Sequence, residues 1–541
     1  MKMNYIKKLA LIIPTLILVS CHDDLDQDPK IDPDSFTEND VFANADEARG
    51  ALAKLYASLA LTGQEGPAGQ PDISGIDEGT SQYSRMLFSL NELTTDNAVV
   101  GWGDPGLPNL HAMNWGASND FTTAMYYRLA QEVSFCNSFI ANASSLDDPA
   151  IESFIAEARF LRAFAYYNLI DLYGNVPLVT LISTELPSQN SREEIFSFIE
   201  SELTEIQNSL MESGANDYGR VDRVAAWALL SKLYLNAEVW IGQDRYTEAI
   251  TYAKQVINSS YTINTTDANG NGSAYDELFL ADNNSNGAQN EFIFALNFDG
   301  NQSRTYGGTT FLVHAAIGGD MDAANFGVNG GWSGLRTTKA LVNKFDYAVT
   351  ASNEDGDPTE WADQRAMFFT EGQNLEINTI ANTFTDGYAV TKFKNIDSEG
   401  NAGSDAGGDF VDTDLPLIRM AEIYLTYAEA VTRGGSGGNI QEAVGYINEL
   451  RERAFGNADG NISSSDLTTD FVLDERAREL YWEGQRRTDL IRYNDFTTGS
   501  YLWPFKGGSK SGTSVSDYRT LFPLPSNIIL INPNLTQNTG Y

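Results

Sequence analysis

Two aromatic residues stand beside pairs of glycines and are the first candidates for a binding surface. Tyr306 precedes a glycine pair at 307–308, and Trp332 follows a second pair at 330–331. Small neighbours leave a ring uncovered and let a ligand approach it closely. An uncovered ring stacks on the apolar C–H face of a sugar, while Arg, Asp and Asn side chains bind the hydroxyl groups. The pattern favours recognition of a carbohydrate, against the alternative that both rings belong to the core.

The three histidines, His22, His111 and His314, offer no recognisable catalytic arrangement. None lies in a Gly-x-Ser-x-Gly nucleophile elbow or in a His-Glu-x-x-His zinc-protease helix. Glycoside hydrolysis needs a pair of carboxylates, but 74 acidic residues make such pairs inevitable, so no particular pair stands out. We therefore expect a protein that is not an enzyme, and a glycoside hydrolase remains the alternative.

Two asparagine-rich segments fit the first half of a calcium-binding loop, in which oxygen ligands at alternate positions precede a turn glycine. The segments are Asp267, Asn269, Asn271 and Gly272, and then Asp282, Asn284, Asn286 and Gly287. Both lack the glutamate of the twelfth position. The second is the better candidate because Glu291 lies nearby, so its first three residues are the predicted metal ligands. We expect calcium to be an optional ligand and no cofactor to be required.

The elements that must carry these residues are mainly helices. Apolar residues recur every three, four or seven positions from Phe154 to Leu172, and similar spacing returns at 226–257 and 421–454. This spacing places apolar side chains on one helix face. Paired helices rich in Ala, Leu and Tyr are typical of tetratricopeptide-like hairpins. The predicted fold class is mainly α, with tetratricopeptide-like helical hairpins as a scaffold and a long loop-rich insertion containing short strands.

Two regions differ from this scaffold in composition. Residues 63–118 are rich in Gly and Pro, and residues 261–415 in Gly, Asn, Asp, Ser and Thr, which indicates loops with short strands. Loops on a rigid scaffold commonly hold binding groups. We expect a single domain over 37–541. Its helical scaffold is predicted at about 37–62, 119–260 and 416–490, and its loop-rich ligand-binding regions at about 63–118 and 261–415.

The first residues predict a lipoprotein. Three lysines precede the apolar stretch Leu9–Val19, which is shorter than the roughly 20 residues that a membrane-spanning helix needs. Leu18-Val19-Ser20-Cys21 is similar to the bacterial lipobox, in which the cysteine becomes the acylated N-terminus. We expect a signal peptide at 1–20, lipidation at Cys21, an acidic tether at 21–36 and no membrane-spanning segment in the mature chain. An ordinary signal peptide with a chance cysteine is the alternative.

Composition narrows the choice of partners. A formal net charge of −39 argues against nucleic acid, because phosphate binding needs a cationic face. Two cysteines exclude a disulfide scaffold and a Cys-based zinc cluster, and three histidines disfavour a His-rich metal site. With Cys21 lipidated, Cys136 is left alone, and we expect it to be a buried apolar side chain.

Several segments together resemble the SusD/RagB family of outer-membrane lipoproteins. They are the lipobox with Leu25-Asp26-Gln27-Asp28-Pro29, then 157–163, 475–490 and the ending from Phe522 to Tyr541. The resemblance covers nearly the whole mature chain, and within the family it is closest to the starch-binding founding member. The polar residues Arg486, Arg487 and Asp489 are interpreted as helix-packing ion pairs and not as a site.

The resemblance implies a glycan site built on an arc of aromatic rings. Position by position, Trp102, Tyr306 and Trp332 match that arc. Two polar residues, Asp77 and Arg85, match its hydrogen-bonding partners.

The chain departs from this pattern at two places. Val100 stands where the starch-binding member has a further arc tryptophan, and Asp104-Pro105 replaces a segment that contributes an asparagine. The departures imply a shortened arc with weaker or altered ligand preference. Trp115 could extend the arc in principle, but we interpret it as structural and leave it out of the site.

The resemblance also implies a place and a partner. We expect a lipid-anchored protein of the outer membrane, facing the extracellular side, that captures starch or maltooligosaccharide (α-glucan). Its implied partner is a TonB-dependent transporter of the SusC type, to which it delivers the glycan. The alternatives are the same role for a different glycan such as a fructan, the hydrolase named above, and a helical-repeat adaptor that only holds proteins together.

Overall fold

The computed structural model of the protein describes residues 38–381 and 383–541. The predicted signal peptide at 1–20, the lipidation site Cys21 and the tether at 21–36 lie outside the described residues. Over the two described ranges, no helix combines the length and the apolar character that a membrane span requires.

Most of the regular structure is helical, with 44% of the described residues in helices and 7% in strands, which confirms the mainly α fold class. The α-helices of the described chain are α1 (Glu38–Val41), α2 (Ala45–Ala60), α3 (Tyr83–Asn91), α4 (Leu107–His111), α5 (Asp120–Ala143), α6 (Ala150–Tyr173), α7 (Arg192–Ile206), α8 (Arg223–Leu235), α9 (Ala237–Ile241), α10 (Tyr246–Ile257), α11 (Gly308–Ala315), α12 (Lys339–Val342), α13 (Met420–Thr432), α14 (Ile440–Phe455), α15 (Thr469–Leu480), α16 (Arg486–Arg492) and α17 (Ser526–Ile531).

The long helices pack in succession and form the scaffold. Helix α5 packs on α6, α6 on α7, α7 on α8, and α8 on α10. Helix α13, which follows the loop-rich region, packs on both α8 and α10 and then on α14. The C-terminal helices therefore continue the array that the N-terminal helices begin, so the two stretches form one scaffold.

The strands are short and pair two by two. They are β1 (Ala98–Val100), β2 (Val176–Pro177), β3 (Gln189–Asn190), β4 (Phe292–Leu296), β5 (Leu335–Thr337), β6 (Val349–Ser352), β7 (Pro358–Trp361), β8 (Phe368–Phe369), β9 (Ala389–Val390) and β10 (Leu415–Arg419). The antiparallel pairs are β1–β5, β2–β3, β4–β10, β6–β7 and β8–β9. Because β1 comes from the first loop-rich region and β5 from the second, their pairing joins the two regions.

One side chain fixes the start of α3 relative to two other helices. The Gln82 Oε1 atom accepts a hydrogen bond from the Arg85 amide at 2.8 Å and caps the first turn of α3. It also accepts one from the amide of Gly308, the first residue of α11, at 2.9 Å. The Gln82 amide nitrogen donates to the carbonyls of Leu59 and Ala60 at the end of α2, at 2.9 and 3.1 Å. The position of Arg85 is therefore set by three helices together.

A network of buried ion pairs ties α15 to the rest of the protein. Glu479 on α15 accepts hydrogen bonds from Arg419 at 2.6 Å and from Arg365 at 3.1 Å, and it also binds Arg453. Glu291 binds the same Arg419 and Arg453 at 2.8 and 2.6 Å. All five side chains are buried. Burial removes each charged group from water, so attraction to its oppositely charged partners must offset the lost hydration.

The residues interpreted above as structural are indeed engaged in the interior. Arg486 binds Asp96 with both Nε and Nη2 at 2.7 Å. Arg487 lies 3.3 Å from a carboxylate oxygen of Asp171. Asp489 binds Arg476 at 2.8 Å and Arg492 at 2.7 Å, which confirms the ion-pair interpretation. Cys136 and Trp115 are also buried, as expected.

Stability is expected to fall steeply in acid. Burial alone would raise the pKa of Glu479, but Arg453, Arg419 and Arg365 outweigh it and lower the pKa to about 2. A carboxyl with a depressed folded-state pKa stabilises the protein above its unfolded value and loses that contribution as the pH falls. For Glu479 the contribution is about 3 kcal/mol, lost between about pH 4.5 and pH 2. Urea unfolding at pH 5, 4 and 3 measures it, and an unchanged midpoint would contradict the prediction.

Another buried carboxyl, Glu132, has a raised and not a lowered pKa and serves as a control. Burial raises the pKa of Glu132 to about 7, against hydrogen bonds from Ser58 and Cys136 and the charge of Arg128. Its contribution is therefore present below about pH 4.5 and lost as the pH rises through about 7. In a Glu132→Gln variant, the decline of stability between pH 5 and pH 8 is expected to be shallower, while the decline in acid stays.

Candidate functional site

The three predicted rings lie side by side in what we call the aromatic row, which consists of Trp102, Trp332 and Tyr306. The ring centroids of Trp102 and Trp332 are 6.4 Å apart with planes at 47°, and those of Trp332 and Tyr306 are 6.3 Å apart at 56°. Tyr306 is 41% exposed, and both tryptophans are half-buried. The rings thus form one continuous, accessible surface with Trp332 in its centre.

The β1–β5 pair brings the two tryptophans together. Val100 at the end of β1 lies opposite Leu335 at the start of β5. The segment after β1, which carries Trp102, and the segment before β5, which carries Trp332, therefore lie at the same end of the strand pair. The Trp102 indole N–H donates to the backbone carbonyl of Trp332 at 3.2 Å. This bond fixes the tilt of the first ring against the loop that carries the second.

A second layer of rings supports the aromatic row and was not predicted from the sequence. Phe311 packs under Trp102 with centroids 6.0 Å apart, and Phe410 under Tyr306 at 5.2 Å. The imidazole of His314 stacks on Trp332 at 4.8 Å with only 15° between the planes. Phe311 and His314 are three positions apart on α11, so they share a helix face; that spacing is the signal that could have identified them.

The glycines beside the rings act differently from what we predicted. A Cβ at residue 307 would meet the Gln82 side chain at 2.3 Å, one at 308 the Phe298 ring at 2.5 Å, and one at 331 the Ile317 carbonyl at 2.2 Å. These glycines therefore let protein atoms approach one another and do not uncover the rings. Only Gly330, of the four, faces open space as the sequence argument requires.

The ring of Trp102 packs directly against a further glycine, Gly334, and a methyl group at position 334 is expected to displace the ring. A Cβ at this position would lie 2.5 Å from two ring carbons of Trp102. Gly334→Ala is therefore expected to cost up to the contribution of one stacked ring to glycan binding, about 1–3 kcal/mol. Affinity electrophoresis in a glucan gel measures the loss. Gly445→Ala, at an exposed position with open space in α14, is the control and should migrate like the parent.

The two predicted polar residues lie at the same surface. The guanidinium carbon of Arg85 is 4.6 Å from the Phe311 centroid and 5.9 Å from that of Trp102. Burial lowers the pKa of Arg85 to about 10, while Asp77, Asp104 and Glu78 favour the charged form, so Arg85 is a cation at neutral pH. Within the described residues, no group accepts a hydrogen bond from this guanidinium. Its donors are therefore free to bind a ligand hydroxyl.

Asp77 and the positions that depart from the family pattern complete the site. Asp77 is exposed, and its carboxylate accepts a hydrogen bond from the Thr80 amide at 3.3 Å. Val100 is 1% exposed in β1, so its position adds no surface to the aromatic row. Asp104 is exposed just after Trp102. The aromatic row therefore consists of three rings, with no fourth ring at position 100.

In the second candidate calcium loop, two of the three predicted ligands are hydrogen-bonded to residues outside the loop. The Asp282 carboxylate accepts hydrogen bonds from the Ser398 amide and hydroxyl at 3.1 and 2.5 Å. Asn286 donates to the Glu277 carboxylate at 3.0 Å, while Asn284 is exposed. Nowhere in the described ranges do three or more His, Cys, Asp or Glu side chains form a group suited to a metal ion. Calcium binding by Asp282, Asn284 and Asn286 stays a prediction.

The chain is similar to known proteins in both sequence and structure. A family model described as "SusD family" matches residues 290–541, and one described as "Starch-binding associating with outer membrane" matches residues 82–235. The "Starch-binding protein SusD" of Bacteroides thetaiotaomicron is 37% identical over 579 aligned positions, which cover 100% of both chains. A "SusD-like protein" of Bacteroides ovatus is 27% identical over 64% of this chain and 60% of its own length.

Solved structures share the fold at low sequence identity. The "Surface glycan-binding protein A" from Bacteroides fluxus has a TM-score of 0.68 at 20% identity, covering 92% of this chain and 100% of its own. A SusD-like carbohydrate-binding protein from Bacteroides fragilis has a TM-score of 0.69, also at 20% identity, and covers 92% of this chain and 100% of its own. At such identities the likeness supports the scaffold alone.

Proposed function

The chain belongs to the SusD family, whose members bind glycans and are not enzymes, and from that premise we propose that its ligand is a starch-like α-glucan. The protein is a surface glycan-binding protein associated with the outer membrane. In our proposal it is anchored by lipid at Cys21 on the extracellular side. It captures maltooligosaccharide on the aromatic row and passes it to a TonB-dependent transporter.

The tilt between successive rings of the aromatic row is the observation that carries this proposal. The planes of neighbouring rings differ by 47° and 56°, so the three ring faces do not lie in one plane. An α-1,4-linked glucan coils, whereas a β-1,4-linked glucan is flat and would meet only one ring face at a time. A nucleic-acid base stacked on an aromatic side chain contributes about 1–3 kcal/mol to binding, and we take the same range for a sugar stacked on one ring. Modest affinity of this kind suits capture followed by release.

A glycan panel tests the choice of ligand. We expect calorimetry to show binding of linear and cyclic maltooligosaccharides and none of cello-oligosaccharides, fructan or mannan. Binding of a fructan alone would keep the capture role and replace the ligand. Product analysis after incubation separates the hydrolase alternative, since any shortening of the maltooligosaccharide would refute a purely binding role.

The transporter partnership needs a test of its own. A SusC-type barrel is expected to copurify with the protein from outer membranes solubilised in mild detergent, and a Cys21→Ala variant should be lost from the membrane fraction. An adaptor that only holds proteins together would copurify as well, but it would show no retention by a glucan gel. Retention and copurification together are therefore required by the proposal.

A further inference from the structure

His314 lies directly beneath the centre of the aromatic row. Its side chain is buried, and its ring stacks on that of Trp332 at 4.8 Å. Its backbone carbonyl also accepts a hydrogen bond from the Trp332 amide at 2.7 Å. The residue therefore contacts Trp332 through both its side chain and its main chain.

Both ring nitrogens of His314 face carbonyl oxygens. Nδ1 lies 2.7 Å from the carbonyl oxygen of Gly330, and Nε2 lies 3.1 Å from that of Asp409. A neutral imidazole has one N–H donor and one acceptor, so it can satisfy only one of these carbonyls. The protonated ring has two donors and satisfies both. The surroundings of His314 are therefore complementary to its charged form.

His111 provides a contrast within the same molecule. Its Nε2 accepts a hydrogen bond from the Val100 amide at 3.2 Å, while Nδ1 faces the Leu93 carbonyl at 3.1 Å. One donor and one acceptor match a neutral imidazole. Burial lowers the pKa of His111 to about 4, so this ring stays neutral at the surface of a cell.

The two carbonyls that His314 faces belong to the loops beneath the aromatic row. Gly330 lies two residues before Trp332, and Asp409 immediately precedes Phe410, on which Tyr306 packs at 5.2 Å. A protonated His314 would therefore tie together the loop that carries one ring of the row and the loop that supports another.

Asp409 is the charged group that acts on the His314 ring, and two arginines lie over the Phe410 and Phe311 rings. Asp409 favours the protonated ring, and its own carboxylate accepts a hydrogen bond from Asn329 at 2.6 Å. Asp405 lies in the same loop and interacts with Arg304, which sits over the Phe410 ring. On the α3 side, Arg85 sits over Phe311. Burial lowers the pKa of His314, against the two carbonyls and the charge of Asp409, so the ring takes up its second proton at a lower pH than a free imidazole does.

We propose that His314 is a positioning residue of the glycan site, and that its protonated ring locks the Gly330 and Asp409 loops so that glucan binds more tightly in mild acid. The inference rests on the proposed α-glucan function. A loop hydrogen bond that is formed only in the glucan-bound protein contributes to affinity, and one such bond corresponds to an increase of about two- to tenfold. Maltooligosaccharides have no titratable group, so a pH effect on binding must come from the protein.

Two variants of the full-length chain separate the ring from its hydrogen bonds. His314→Phe keeps a flat ring under Trp332 and removes both donors, and His314→Gln keeps one donor and removes the ring. We expect calorimetry with maltoheptaose to show two- to tenfold tighter binding by the parent at pH 5.5 than at pH 8. Each variant should bind maltoheptaose with the same Kd at pH 5.5 as at pH 8. A parallel pH profile in the parent and the Phe variant would overturn the proposal.

Nitrogen NMR of the histidine rings provides a readout that needs no glycan. The chain has three histidines, so the His314 signals are identified by their loss in the Phe variant. Both His314 nitrogens should carry protons at pH 5.5, while His111 remains a neutral tautomer. A neutral His314 ring throughout pH 5 to 8 would refute the inference even if glucan binds. Conversely, absence of glucan binding at every pH would refute the proposed ligand, and the NMR result would still decide the role of His314.

Discussion

Replacing Trp332 by alanine is expected to weaken α-glucan binding by about 5- to 150-fold, which corresponds to the 1–3 kcal/mol of one stacked ring. Trp332 is the central ring of the aromatic row and lies 6.4 Å from Trp102 and 6.3 Å from Tyr306. Its loss divides the row, so a coiled glucan can no longer contact consecutive rings. Calorimetry with maltoheptaose measures the change in Kd.

The matched control for this substitution is a tryptophan outside the site. Trp227 is half-buried on α8, and its indole N–H donates to Gln207 at 2.9 Å. Trp227→Ala removes a side chain of the same size and should lower the unfolding temperature without changing Kd. Equal Kd values for the Trp332→Ala variant and the parent would remove the aromatic row from the binding site.

Replacing Glu479 by glutamine is expected to lower the free energy of unfolding by about 3–5 kcal/mol, because it leaves buried positive charge without its partner. Glu479 contacts Arg365, Arg419 and Arg453, and all three arginines are buried. The glutamine has nearly the same shape, so the loss comes from charge and not from a cavity. Urea unfolding at pH 7, followed by circular dichroism, measures it.

An exposed glutamate gives the comparison for that measurement. Glu354 lies in the turn between β6 and β7 and is exposed, so Glu354→Gln should change the unfolding free energy by less than about 0.5 kcal/mol. A Glu479→Gln protein as stable as the parent would show that the buried network contributes no net stability. Glucan binding by the folded Glu479→Gln protein should be unchanged, because α15 carries none of the five candidate residues.

The helical scaffold could be predicted because its signal is local. The apolar positions from Phe154 to Leu172 fall within α6, which packs on α5 and α7. The composition of 261–415 likewise indicates its short strands, since β4 to β9 all lie there and β10 begins at its end. Periodicity reports which face of an element is buried, and this information is contained in neighbouring residues.

The hydrogen bonds that support the site could not be predicted, because they join segments far apart in sequence. Nothing in the sequence indicates that the two ring nitrogens of His314 face the carbonyl oxygens of Gly330 and Asp409. Gln82 joins α2, α3 and α11, yet it is one amide among many. The glycine pairs indicated two rings that the structure places side by side, but for a partly wrong reason. Glycine signals close approach, but the sequence does not reveal whether the approaching atoms belong to a ligand or to the protein.

The β1–β5 pair has a consequence for when the protein becomes able to bind. The strands come from distant parts of the chain, and the two tryptophans meet only after those parts have closed on each other. Contacts between distant segments form late, since ordering the intervening chain opposes them. An incompletely folded polypeptide therefore has only separate rings. The continuous aromatic surface exists once these two distant parts of the chain have paired.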